Sequence, residues 1–132
     1  MTSLSVGQTF ETVVAADLKR TQIVQYAGAS GDYNPLHTDE IYATKIAGYP
    51  SVFAHGMLTM GLTGQAIADL VGAENLLRFG VRFTAQVWPG DTLTVRGSVT
   101  RITGGEAELG VSTVNAEGTE VLSGYAHVRL TG

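Results

Sequence analysis

Gly56-Met-Leu-Thr-Met-Gly-Leu-Thr-Gly-Gln-Ala-Ile-Ala-Asp-Leu-Val71 is the stretch on which the fold turns. It is apolar nearly all round and carries one charge, Asp69, near its far end. A helix with that pattern is buried, so the rest of the chain has to wrap it. Gly61, Gly64, Ala66 and Ala68 let neighbouring backbone come close. The stretch is too short and too interrupted for a bilayer, which takes about 20 apolar residues.

Downstream the period changes. Phe79, Val81, Phe83, Ala85 and Val87 alternate with Gly80, Arg82, Thr84 and Gln86. Leu93, Val95 and Val99 alternate with Thr92, Thr94, Arg96, Ser98 and Thr100. Two more such runs follow, Ala107 to Val114 and Glu120 to Leu130. Pro89-Gly90-Asp91, Gly104-Gly105 and Asn115-Ala-Glu-Gly118 separate them as turns. Period-two alternation between short turns predicts antiparallel strands with one buried face. Upstream, Phe10 to Ala15 reads as a short strand. A helix capped by Asp17 carries Ile23, Tyr26 and Ala27 and ends near Gly28. A second helix fits Asp39 to Ala47, with acids Asp39 and Glu40 in its first turn, Lys45 near its end and Gly48 just past it. The order is an α+β one: a single domain over 1–132, an antiparallel sheet around one central helix.

Composition narrows the function. The 132 residues are 44% apolar and 15% charged, which is globular. Net charge is −4 with the eight Lys/Arg scattered, so nucleic acid is not an expected partner. There is no cysteine, which removes disulfides, thiolate metal sites and thiol nucleophiles. Met1-Thr-Ser-Leu-Ser-Val-Gly7 has neither a basic head nor an apolar core, so no signal peptide is expected. With no membrane-spanning run either, the expectation is a cytoplasmic protein.

The chemistry concentrates in Tyr26-Ala-Gly-Ala-Ser-Gly-Asp-Tyr-Asn-Pro-Leu-His37. Asp32, Asn34 and His37 stand around a stiff Pro35, and Gly31 and Pro35 oppose helix. Asp and His are the usual movers of protons near neutral pH. Alone, Gly-Asp-x-Asn-Pro is also a turn signature, since Asp and Asn favour turns by bonding local backbone. His55 reads as structural, bonding backbone near a helix start. His127 falls mid-strand, where it packs or faces solvent. His37, His55 and His127 show no ligand spacing, so no metal is expected.

These motifs resemble those of the MaoC-like (R)-specific enoyl-CoA hydratases. The hydratase motif is met by Tyr26, Ser30, Gly31, Asp32, Asn34, Pro35, Leu36, His37 and Ala43. The family's His-Gly-Met pattern is met within Phe53-Ala-His-Gly-Met-Leu-Thr-Met60, and its Pro-Gly-Asp turn by Pro89, Gly90 and Asp91. The resemblance covers nearly the whole chain. It implies a hot-dog fold and reversible syn addition of water to a trans-2-enoyl thioester, carried by CoA or an acyl-carrier protein, with no cofactor. It implies Asp32 as general base, His37 as its acid/base partner and Asn34 as an orienting or binding residue. Gly56 then offers backbone N–H groups at a helix N-terminus as an oxyanion hole. A non-catalytic hot-dog subunit has no need of both Asp32 and His37. A hot-dog thioesterase wants an acid on or near the central helix, which holds only Asp69. Arg78, Arg82, Arg96 and Arg101 are candidates for the ligand's phosphates, against a solubility role for any one of them. A lone hot-dog sheet leaves an edge, which predicts a homodimer, with a heterodimer of related subunits as the alternative.

Overall fold

The alternating runs become strands. In the computed structural model, residues 3–130 are described. Met1 and Thr2, where the expectation about a leader begins, lie outside them. The strands are β1 (Thr9–Ala15), β2 (Leu76–Phe83), β3 (Leu93–Thr103), β4 (Glu106–Val114) and β5 (Glu120–Arg129). They form one antiparallel sheet in the order β1-β3-β4-β5-β2. Register sets Val99, Leu109 and Ala126 in one row and Gly97, Val111 and Gly124 in the next. This face meets α2 (Gly56–Val71) through Ile67 and Val71. Ile67, Leu109 and Ala126 are fully buried. Burying an aliphatic side chain the size of Ile67 or Leu109 is worth ~1.5–3 kcal/mol, so this layer dominates stability.

Two glycines are required by close approach. A Cβ on Gly97 would fall 2.2 Å from the Phe10 ring, its partner on β1. A Cβ on Gly124 would fall 1.9 Å from the carbonyl oxygen of Gly80 on β2.

Four expectations shift. The first helix, α1, spans Arg20–Ser30 rather than starting from an Asp17 cap and ending near Gly28. Leu18 is pinned to the Pro89–Asp91 turn, giving its N–H to Asp91 and taking one from Gly90, and this delays the helix. Asp17 stands outside at φ +54°, its carboxylate paired with Lys19. The left-handed residue that ends α1 is Gly31, at φ +76°. The second upstream helix closes as a wide π turn, Tyr42–Ile46, with the Ala47 N–H reaching back to Tyr42. β2 stops at Phe83, and Thr84 to Val87 run on beside the N-terminus of α2 instead of in the sheet. Lastly, α2 is not covered all round: Met57 is 55% exposed, and Gly61 and Gln65 lie along the same open side.

Candidate active site

The loop after α1 is built as a staircase of side chains serving backbone. Asp32 N–H donates to Ser30 Oγ at 3.1 Å, Asn34 N–H to Asp32 Oδ1 at 3.2 Å, and Leu36 N–H to Asn34 Oδ1 at 3.0 Å. Each polar residue shapes the turn that presents the next. Pro35–His37 then closes one 3₁₀ turn, which swings the His37 ring inward. Asp32 and Asn34 remain exposed, and His37 is 9% exposed.

His37 Nδ1 lies 2.7 Å from the carbonyl oxygen of Phe53. A carbonyl only accepts, so Nδ1 carries the hydrogen and Nε2 presents a lone pair. One carboxylate oxygen of Asp32 and one ring nitrogen each of His37 and His55 all lie within 4.8 Å of one another. A gap of that size suits one water, bonded at ~2.8 Å on each side. Burial is the main influence holding the His37 imidazole below the ordinary histidine range; the nearby His55 adds to it, while the Phe53 carbonyl and Asp32 oppose it. His37 is thus a neutral base at pH 7.

His55 is 2% exposed and packs flat on His37, with ring centroids 3.8 Å apart and planes 25° apart. Tyr26 meets it edge-on at 4.8 Å. Its Nε2 lies 3.0 Å from the Asp32 carbonyl oxygen. Asp32, His37 and His55 thus form a cluster that sequence spacing did not reveal. It suits a metal poorly. Each nitrogen's lone pair lies in its own ring plane, and nearly parallel rings do not converge on a point ~2 Å from both nitrogens.

The other half of the corner is the start of α2. Among the described residues, the N–H groups of Gly56 and Met57 have no acceptor, as first-turn groups usually do not. Gly56 borders a groove of 380 Å³ lined with Phe53, Ala54, Thr59, Phe83 and Val87. The Phe83 ring sits 3.2 Å from where a Gly56 Cβ would be. Glu40, unremarked in the sequence, fastens the surroundings: it accepts from Val52 N–H at 3.0 Å and pairs with Arg20 at 2.8 Å. The Arg20 bond holds its carboxyl below the usual range.

The remaining candidates lie apart. By register, Arg78, Arg82 and Arg96 point from the sheet face opposite α2. Arg96 faces Glu11 at 3.7 Å, and Arg101, past the irregularity in β3, bonds Glu108 at 2.9 Å. Arg78 lies over Tyr125. His127 sits 3.7 Å from Glu108. Asp69, the acid on α2, is exposed and bonded by Gln65.

This sheet wrapped on one central helix is the hot-dog fold, and structures that share it bear this out. The R-hydratase PhaJ1 from Pseudomonas aeruginosa, unliganded, superposes with a TM-score of 0.84 at 30% identity, over 96% of this chain and 82% of that one. The (R)-hydratase from A. caviae involved in PHA biosynthesis gives 0.86 at 26% identity, over 99% and 100%. Residues 2–121 match the MaoC like domain, and the chain belongs to that family. Among curated relatives, 3-hydroxyacyl-thioester dehydratase Y of Mycobacterium tuberculosis is 39% identical over 94 residues, which is 69% of this chain and 32% of the relative. The peroxisomal enoyl-CoA hydratase 2 of Arabidopsis thaliana is 35% identical over 103 residues, 76% of this chain and 32% of the relative. The chain spans a third or less of the length of the curated relatives it matches.

Proposed function

We propose that the chain is an (R)-specific enoyl-thioester hydratase, acting in reverse as a (3R)-hydroxyacyl-thioester dehydratase. The observation that carries this reading is the approach of the Asp32 carboxylate and the imidazoles to within 4.8 Å, beside an α2 N-terminus with open N–H groups. Asp32 and the His37 Nε2 lone pair both accept, so a water between them donates both its hydrogens. Its oxygen lone pair is then free to attack C3. As the C3–O bond forms, Asp32 takes one proton. The π electrons move toward the thioester oxygen, where Gly56 N–H stabilises the charge. A proton then passes from the pair to C2 on the same face. The two groups act on one water, so the proton is assigned to the pair rather than to either member. Asn34 shapes the loop by holding Leu36 N–H.

A second copy of the chain is the proposed partner. β2 is an open edge, Leu77 and Phe83 on it are 41% and 47% exposed, and Met57 stands on the uncovered side of α2. Pairing like edges about a two-fold axis covers such surfaces. No helix among the described residues is long and apolar enough to cross a membrane.

A series of trans-2-enoyl-CoA substrates tests the activity, with chiral analysis of the product. Loss of the conjugated thioester without thiol release, yielding the (R)-3-hydroxy product, is expected. Thiol release would replace this reading with a thioesterase. Turnover only after mixing with a second hot-dog chain would make this protein one subunit of a heteromer.

A further inference from the structure

His55 takes no step in that scheme, yet it is a buried polar side chain at the centre of the corner. Three hydrogen bonds join the Asp32–His37 loop to the segment that enters α2. Phe53 N–H donates to the Leu36 carbonyl at 3.3 Å. His37 Nδ1–H donates to the Phe53 carbonyl at 2.7 Å. His55 donates in the opposite sense, from Nε2–H to the Asp32 carbonyl at 3.0 Å. Each segment therefore holds the other through a histidine, and the two rings stack where the bonds cross.

We propose that His55 is a positioning residue: an imidazole that clasps the Asp32 backbone to the start of α2 and sets the plane of the His37 ring. This rests on the hydratase reading for its kinetic consequence but not for its geometry.

Two observations fix the direction of the clasp. The Asp32 carbonyl can only accept, so Nε2 must carry hydrogen. Nδ1 is buried with no hydrogen-bond partner among the described residues. The groups around His55 are Asp32, His37 and Tyr26, and of these only the Asp32 carbonyl bonds it. An apolar ring of similar shape, slightly larger, would keep the stack. What it would lose is the one tie between the Asp32 backbone and the residue that caps α2. That tie sets the distance from the Asp32 carboxylate to the Gly56 N–H. A displacement of 1 Å at such a site costs on the order of 10²-fold in rate.

The test has two arms. In ¹⁵N-resolved NMR of the unmodified protein, His55 is expected to hold hydrogen on Nε2, bonded to the Asp32 carbonyl. An Nε2 without hydrogen would overturn the proposal whether or not the protein hydrates enoyl thioesters. In kinetics, His55→Phe should lower kcat about 10²-fold with KM changed less than about threefold, and His55→Gln, whose amide nitrogen can donate as Nε2 does, should recover at least about tenfold. A His55→Phe protein within about threefold of the parent kcat, or Phe and Gln variants equally impaired, would also overturn it. A parent protein without any turnover would instead overturn the hydratase reading and leave the NMR arm to judge the clasp.

Discussion

The sheet half and the loop half of this chain are held by different means. From β2 to β5 the backbone is satisfied by its neighbours, strand against strand, and side chains of one face pack on α2. Between Gly31 and Gly56 there is no ladder. The backbone is satisfied by short 3₁₀ and π turns and by single bonds from the side chains of Ser30, Asp32, Asn34, Glu40, His37 and His55. Such bonds are worth ~0.5–1.5 kcal/mol net, against ~1.5–3 kcal/mol for each large buried aliphatic side chain of the core. The loop half therefore contributes little to stability and much to geometry. Damage to the sheet should remove the fold, and damage to the loop should remove the chemistry while the fold stays.

The largest expected effect lies in the sheet. Gly124→Val places a branched side chain where a Cβ alone would sit 1.9 Å from the Gly80 oxygen. The backbone cannot yield without breaking the β2–β5 pairing, so a loss above ~4 kcal/mol is expected, as for the severest point substitutions. Denaturant unfolding, or failure to recover soluble protein, checks this. Near-normal stability would mean β2 is not held as described.

Next come the loop residues. Asp32→Asn and His37→Ala should each lower kcat ~10²–10⁴-fold while melting close to the parent. The double variant should be little worse than either single one, because both act on one water. A collapse of stability in either would erase the contrast between the halves. Gly56→Val sits at the seam, with an expected loss of ~10²–10³ in kcat/KM, typical of a lost oxyanion donor. The atoms nearest to an added Cβ belong to the Phe83 ring, which is half exposed and can swing aside, so the fold should survive. Unchanged kcat/KM in folded protein would place the oxyanion hole elsewhere.

The smallest effect is the pH dependence of His37. Its folded pKa lies below the ordinary 6.5. As pH falls through the folded value, Nε2 is protonated and its lone pair is lost, so the acid limb of kcat/KM should lie below pH 6.5. Between the folded value and 6.5 the unfolded chain binds more protons, so stability should also drop slightly as pH falls through that window. His37→Ala should flatten that slope, as urea titrations at several pH values will show.

Sheet and site were not equally legible in the sequence. Alternation from Phe79 onward predicts strands because a period-two pattern has no other packing solution, and β3 to β5 follow it closely. Asp32, His37 and Gly56 are visible through their motifs, which the fold brings to one corner. The Asp17 cap misleads because a distant turn claims Leu18, and no local pattern records that bond. The π turn at Tyr42–Ile46 keeps the helical composition of an α-helix while changing its hydrogen bonds. His55 reads correctly as a backbone-bonding residue near a helix start. Its acceptor, the Asp32 carbonyl, lies in another segment, and only the folded chain reveals it.

Pairing of β1 with β3 has a consequence for synthesis. Thr9 finds its partner in Ser98, so β1 waits unpaired until β3 has been made. The emerging chain carries an unsatisfied edge through the making of both helices and β2. Contacts between such distant segments slow folding, and an open strand in a growing chain invites association with its neighbours. Glu11, midway along β1, sets a charge on that edge, as strands left waiting for a partner commonly carry.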